Sequence, residues 1–366
     1  MPALIAASAA RTCLGDEQET YAALLAGRSG LGPLRHIDPD SVHVRYGYHV
    51  PDADPETPLR PSAWLAECAG RALKQSGVDP RRQRVLAVVG TGLRELRAVE
   101  REVGGVRTEQ LHFAGAVQSV APIAEVCTLA GACSAGGHAL ALGQDAIELG
   151  DADAVLVAAA DGMTESMLAM MGRVVDEPTD ALRPFDTGRT GVLLGEGAAA
   201  LVLVPESSGS PLARLVATGL SCDAGHETAP DVDGICRAMR DAFDRADRHP
   251  ADVGLVIAHG TGTALNDPAE ATALHRIHGA SAPLATALKG AIGHTSGSSA
   301  LHGVAVAIEC LRQGRIPPVV GLREPIEEAR SVRLVRGTPV PTPRKLVQVN
   351  AFGFGGVNAV TLLETA

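Results

Sequence analysis

Gly131-Ala132-Cys133-Ser134-Ala135-Gly136-Gly137 runs into an apolar-periodic segment ending at Leu149, and Val155-Leu156-Val157-Ala158-Ala159-Ala160 follows after a short polar break. Ala139, Leu140, Leu142, Ala146, Ile147 and Leu149 recur at three- and four-residue spacing, which predicts a helix stopped by Gly150, with Asp151 to Asp153 as a turn. The uninterrupted apolar block beyond the turn has the pattern of a strand buried on both faces. Cys133 therefore stands in a turn of tiny residues at a helix start, where unpaired backbone N–H groups and the helix macrodipole favour negative charge. The thiolate is the nucleophilic form of cysteine, and small neighbours allow a substrate to come close, so the position suits covalent acyl chemistry. The plainer reading is a packed, inert thiol, since free cysteine is among the most buried residue types.

Working outward, the order of elements repeats. In the first half, a helical pattern over 62–76 leads to a strand over 85–89. The Cys133 helix and its strand follow, and then a closing pair ends in Gly195-Glu196-Gly197-Ala198-Ala199-Ala200-Leu201-Val202-Leu203-Val204. In the second half, a helix over 233–245 leads to Val253-Gly254-Leu255-Val256-Ile257-Ala258. A helix near 268–278, a strand over 283–288 and a long helix over 298–312 follow, before the segments Leu346 to Asn350 and Gly355 to Leu363. The N-terminal Ala-Leu-Ile-Ala-Ala-Ser-Ala-Ala reads as a first strand. Strands alternating with helices need sheets covered by helices, so a duplicated α/β architecture is predicted. The polar stretch from Pro205 to Pro211 divides it into residues 1–204, carrying Cys133, and 212–366, carrying His259, Lys289 and His294. The stretches 34–61 and 174–189 are loop-rich and are expected to shape an entrance. Ala124 to Ala130 reads as a poor strand.

The chain has 366 residues, a hydrophobic share of 46% and only 2% aromatics, which predicts a large core packed by Ala, Val and Leu. A net charge of −10 argues against general nucleic-acid affinity. Seven cysteines, an odd number without a C-x-x-C pair, argue against a disulfide framework and for a reducing, cytoplasmic location. His275-x-x-His278 is too isolated to make a zinc site, so no metal is expected. The uncharged stretch 126–144 approaches membrane-spanning length. Its glycines, Ser134 and His138 favour a buried element instead, and no membrane association is expected.

Three glycine-rich loops each follow a predicted strand, the place where open α/β sheets hold ligands. They are His259-Gly260-Thr261-Gly262-Thr263, Lys289-Gly290-Ala291-Ile292-Gly293-His294 and Asn350-Ala351-Phe352-Gly353-Phe354-Gly355-Gly356. The last is not a dinucleotide fingerprint, because the helix and the later acidic residue are missing.

Together these segments resemble the elongating β-ketoacyl synthase family of the thiolase superfamily, whose members condense acyl-carrier-protein thioesters. Five motifs carry the resemblance, in the family's order and from about Tyr21 to the C-terminus. They are the Ala132-Cys133 turn; Arg183-Pro184-Phe185-Asp186 with Arg189 and Gly195-Glu196-Gly197-Ala198; the His259 loop with Asn266-Asp267 and Glu270; Lys289 to His294; and Asn350 to Asn358.

The resemblance implies a duplicated thiolase-like fold, two βαβαβ-type halves in a layered α-β-α-β-α core. It implies that Cys133 takes an acyl group, with the backbone N–H groups of Cys133 and Phe354 as oxyanion hole. His259 and His294 would bind the carbonyl of a malonyl-type extender and stabilise the enolate left by decarboxylation. Lys289 would orient the histidines and Glu270, or form a structural ion pair, with Asp267 and Glu270 in support. Thr261 and Thr263 match positions contacting a pantetheine arm, and Phe352 and Phe354 match a gate. No metal or organic cofactor is implied. The implied partners are an acyl carrier protein or CoA thioester and a second copy of the chain in a homodimer. Arg94, Arg97 and Arg101, or Arg312 and Arg315, could meet an acidic carrier, although a solvated helix face is the stronger reading for each.

Several positions depart from the family. Gly131 stands where threonine is usual, Ala160-Asp161 where Gly-Gly is usual, and Ser298-Ser299-Ala300 where Ala-Ala-Gly is common. These keep open a transfer of the acyl group to oxygen, nitrogen or a carrier thiol without loss of carbon dioxide. An inactive partner subunit is a further reading, against which the retained cysteine counts. A cysteine hydrolase built on Gly131-x-Cys133-x-Ala135 is another, but it leaves Lys289 to His294 without a purpose. The acyltransferase reading requires Cys133 to lie within about 8 Å of His259 or His294.

Overall fold

The computed structural model of the chain describes residues 3–51, 57–101, 106–206, 211–343 and 346–366. Its first half contains β1 (Ala3–Thr12), α1 (Arg60–Ser76), β2 (Val85–Thr91), β3 (Glu125–Ala130), α2 (Ala135–Leu149), β4 (Ala154–Asp161) and β5 (Gly197–Pro205). The second contains β6 (Ala213–Cys222), α3 (Val232–Ala246), β7 (Val253–Ala258), α4 (Asn266–His278), β8 (Leu284–Ala287), α5 (Ser299–Gln313), β9 (Leu346–Gly353) and β10 (Val357–Glu364).

The first five strands lie in the order β3-β2-β4-β5-β1 and the second five in the order β8-β7-β9-β10-β6. In both, the first three strands of that order are parallel and the last two join antiparallel. The repeat seen in the sequence is thus a repeat of topology. Ala3 to Ile5 of β1 pair with Ala213 to Leu215 of β6, linking the two sheets.

Side-chain alternation along the strands builds the layers, since successive residues point to opposite faces. In β4, Val155, Val157 and Ala159 enter a central core, while Ala154, Leu156, Ala158 and Ala160 enter an outer one. In β7, Leu255 and Ile257 face the centre and Val256 and Ala258 the other outer core. Leu140 and Ile147 of α2 and Leu301, Val304 and Ile308 of α5 fill the centre. Trp64 and Leu65 of α1 cover the first sheet, and Met239 and Phe243 of α3 with Leu274 of α4 cover the second. The result is the α-β-α-β-α stack. Fully burying one such leucine contributes about 2 kcal/mol, so the double-sided strands are the strongest local determinants of the fold.

The low aromatic content has a geometric counterpart. A Cβ on Gly143 of α2 would lie 2.6 Å from Val157 Cγ2, and one on Gly303 of α5 would lie 2.6 Å from Val349 Cγ1. The central helices therefore sit closer to the sheets than any side chain at those positions allows.

One expectation needs correction. Residues 125–130, read as a poor strand, form β3 at the edge of the first sheet. Among the described residues it pairs, in parallel, with β2 alone, and its residues are exposed or half-buried. An edge strand accepts a charged Glu125, which a strand buried on both faces would not. Residues 207–210, within the expected break, lie outside the described residues, as do 52–56 in the first loop-rich stretch. The described parts of the two loop-rich stretches meet: Leu34, Ile37, Val42 and Val44 share a core with Leu182. Among the described residues no helix is long and apolar enough to cross a membrane.

Gly143→Ala is expected to destabilise the chain by about 1–3 kcal/mol through overpacking against Val157. Denaturant unfolding should show a lower midpoint, and an unchanged midpoint would contradict the close contact.

Candidate active site

The site gathers where β2, β3, β7, β8 and β9 end. Between β3 and α2 the chain turns sharply: Ala132 adopts a left-handed φ of +46°, a conformation costing a non-glycine residue about 1–2 kcal/mol. Ser134 holds the turn, donating from Oγ to the carbonyls of Gly131 at 3.1 Å and Val357 of β10 at 2.9 Å. Cys133 thus projects ahead of the first turn of α2, as the sequence predicts.

His294 follows the helical turn Lys289–Ile292. Its backbone N–H donates to Leu193 and its carbonyl accepts from Gly195, both at 2.9 Å, which fastens this second-half residue to the first half. Its Nε2 lies 3.0 Å from Cys133 Sγ. His259 follows directly on β7, and the carboxylate of Glu270 on α4 accepts its N–H at 2.7 Å and that of Gly260 at 2.8 Å. Asn350 donates to the same carboxylate at 2.9 Å. Asp267 accepts from the N–H groups of Thr261 at 3.0 Å and Phe185 at 2.6 Å. The two acidic residues therefore shape the loop carrying the imidazole.

Lys289 Nζ lies 3.2 Å from His259 Nδ1 and also donates to the His259 carbonyl. An ammonium only donates, so His259 Nδ1 is bare and the ring proton sits on Nε2. The two imidazoles stand edge to face with centroids 5.4 Å apart. Phe352 is buried with its ring 5.5 Å from that of His259, whereas Phe354 is 41% exposed. The Thr261 and Thr263 hydroxyls lie 2.9 Å from each other in the same loop, and Arg189 donates to the Thr263 carbonyl.

Cys133 keeps some solvent contact, yet protein surrounds its sulfur closely enough that desolvation pushes the thiol pKa up to about 11. Asp161 adds to the rise. Lys289 and the backbone N–H groups of Phe354 and Cys133 act against it. Burial also draws Lys289 down to about 8, although Cys133, Glu270 and Asp267 support its charge. Both histidines fall well below 6.5, first through burial and then through Lys289. The resting site holds a neutral thiol, two neutral rings and one ammonium. The helix start does not make Cys133 a thiolate by itself, because desolvation outweighs it.

Sequence reasoning missed several members. Asp161, buried at the end of β4, accepts from Thr91 Oγ1 and Leu93 N–H at 2.7 Å, from Gly92 N–H at 2.9 Å and from Gly297 N–H at 2.7 Å. It joins three segments around Cys133. Ser299 Oγ lies 3.1 Å from His294 Nδ1, and Thr295 and His302 continue from it. The signal available was the departure from the family pattern at Ala160-Asp161 and Ser298-Ser299. Among the described residues no group of His, Cys, Asp or Glu could hold a metal ion.

A cysteine against one imidazole, with a lysine-supported second imidazole beside it in a duplicated α/β fold, defines a thiol-dependent acyltransferase. Comparison with known proteins makes this specific. The sequence model for "Beta-ketoacyl synthase, N-terminal domain" matches residues 2–208 and that for the C-terminal domain matches 212–323. The chain belongs to the β-ketoacyl synthase family. It is 31% identical over 368 residues to nodulation protein E of Rhizobium meliloti (strain 1021), covering 91% of each chain. It is 28% identical over 399 residues to the 3-oxoacyl-[acyl-carrier-protein] synthase 2 of Coxiella burnetii, covering 96% of this chain and 95% of that one. Among solved structures, the ishigamide ketosynthase/chain length factor superposes with a TM-score of 0.91 at 28% identity, over 100% of this chain and 99% of the other.

Because the Lys289 charge favours the thiolate, Lys289→Met is expected to slow alkylation of Cys133 by iodoacetamide at pH 7 by roughly tenfold, one pKa unit. The difference should narrow as pH rises through about 8, where Lys289 discharges. Peptide mass spectrometry reads the rate, with exposed Cys222 as internal control. Equal rates in both proteins would remove Lys289 from the electrostatics of the sulfur.

Proposed function

We propose that this enzyme carries out decarboxylative Claisen condensation of a cysteine-bound acyl group with a malonyl-type extender, in fatty acid or polyketide biosynthesis. The carrying observation is the 3.0 Å approach of Cys133 to His294 beside the His259–Lys289 pair. In the first half-reaction the Cys133 sulfur attacks a thioester carbonyl. The new C–S bond forms, the bond to the carrier sulfur breaks, and the carrier leaves as a thiol. In the second, the extender loses carbon dioxide. The resulting enolate carbon attacks the acyl-cysteine, a C–C bond forms, and the Cys133 sulfur departs and regains a proton.

The chain supplies groups for both. The backbone N–H groups of Cys133 and Phe354 favour negative charge at the sulfur, so they suit an oxyanion forming on the adjacent carbonyl. A ring N–H from the His259–His294 pair donates to the extender carbonyl and stabilises the enolate. Lys289 fixes His259 and supplies local positive charge, while Glu270 and Asp267 hold the loop. Thr261 and Thr263 receive the pantetheine arm, and half-exposed Phe354 with buried Phe352 gate the way between arm and acyl group. No step needs a metal or an organic cofactor.

The thioester carrier is an acyl carrier protein, or CoA in its place, in keeping with the name of the Coxiella burnetii relative. A second copy of the chain completes a homodimer, for which β3, the terminal strand of the sheet, is the natural contact. Seven free cysteines fit the cytoplasm.

Incubation with an acyl thioester should add the acyl mass to the intact protein, and Cys133→Ala should abolish the adduct. His259→Ala should acylate but lower condensation by about 10²-fold or more. Carbon dioxide should appear one for one with condensed product. Product formation without carbon dioxide release would replace condensation by simple acyl transfer to an oxygen, nitrogen or thiol acceptor.

A further inference from the structure

A run of polar side chains behind His294 takes no part in the steps above, and its hydrogen-bond directions are forced. His302 Nε2 lies 3.3 Å from the carbonyl oxygen of Arg11 and 3.2 Å from that of Ala198. Carbonyls only accept, so the His302 proton is on Nε2. Burial pushes the His302 pKa down to about 4, so the ring is neutral and its Nδ1 is bare. Thr295 Oγ1, 3.0 Å away, must donate to it. The single hydroxyl proton of Thr295 is then committed, and Ser299 Oγ at 3.2 Å must donate to Thr295. With the Ser299 proton also committed, His294 Nδ1 at 3.1 Å must donate to Ser299. A neutral His294 protonated on Nδ1 has a bare Nε2, and this nitrogen faces Cys133 Sγ.

We propose that His302, Thr295 and Ser299 form a one-directional hydrogen-bond relay that holds His294 as the base receiving the Cys133 thiol proton. The three are positioning residues, acting through the His294 ring. The opposite arrangement leaves either the buried Nδ1 of His302 without its donor or two hydroxyl oxygens facing each other without a proton. An unmet buried acceptor is costly enough to bias the tautomer by roughly tenfold or more.

The relay divides the two imidazoles. Lys289 fixes the proton of His259 on Nε2, making it the standing donor for the enolate, while the relay fixes that of His294 on Nδ1, making it the base for sulfur. As the sulfur attacks the thioester, its proton passes to His294 Nε2. The departing carrier sulfur takes that proton, the neutral ring returns, and no further reactant is required. Lys289 disfavours the imidazolium, so the ring holds the proton only in passing. The relay ends on the carbonyls of β1 and β5, so the first-half sheet sets the protonation of a second-half ring.

This inference deepens the reading of the same site, and the test separates the two. Protein labelled with ¹⁵N-histidine, with the His294 signals assigned by their loss in His294→Asn, reports which ring nitrogen carries the proton. The wild-type enzyme is expected to show His294 protonated on Nδ1. Thr295→Val and Ser299→Ala should lose that preference and slow acylation of Cys133 by an acyl-CoA thioester about tenfold, while Thr295→Ser stays within about twofold. A wild-type His294 protonated on Nε2 overturns the relay, as does a Thr295→Val enzyme with unchanged tautomer and acylation rate. The wild-type spectrum decides even where a variant does not fold. Acylation needs no extender, so an enzyme showing the stated tautomer that acylates but never condenses would uphold the relay and end the Claisen reading.

Discussion

The approach of Cys133 to His294 joins residues 161 positions apart and from different halves of the chain, and the chemistry depends on holding that distance. Loops alone would not hold it. The His294 backbone is bonded to Leu193 and Gly195, and Asp161 at the end of β4 grips the Gly297 N–H. A Cβ on Gly136 at the start of α2 would fall 2.8 Å from the Gly297 carbonyl oxygen, so the turn carrying Cys133 and the loop after His294 touch backbone to backbone. The glycines beside Cys133 therefore serve the junction of the halves as well as access to the sulfur.

Burial then sets the ionisation of the site. Removing water penalises every charged form, which keeps the thiol protonated and the imidazoles neutral. One ammonium remains, and Glu270 and Asp267 lie close enough to support it. A neutral thiol resists adventitious alkylation while no substrate is present. Its cost is that the sulfur proton must be moved during attack, which makes the protonation of the adjacent ring a matter of mechanism.

The readability of these features from sequence followed the kind of interaction behind each. Strands buried on both faces, such as Val155 to Ala160, announce themselves as apolar runs, and α2 by its spacing and by Gly150, which caps it with a φ of +77°. His259, Lys289 and His294 were legible as candidates because each follows an apolar strand within a glycine-rich turn, and Cys133 because its turn of tiny residues opens α2. β3 was not, because a half-solvated edge strand has no clean alternation. Asp161 was not, because an aspartate at a strand end reads as a turn residue until Thr91, Gly92 and Leu93 arrive from one segment and Gly297 from another.

The polar residues behind His294 depend on one another. Ser298 donates to the Thr295 carbonyl at 2.7 Å, and Thr295, Ser299 and His302 each satisfy the next. In a site this dry, a polar atom left alone costs more than a matched pair contributes. Introducing a hydroxyl beneath a buried ring is tolerable when its neighbours are polar too, and removing one leaves the others exposed to that penalty. Thr295, Ser299 and His302 are therefore coupled in energetic terms, and their common effect falls on the single ring nitrogen that meets Cys133.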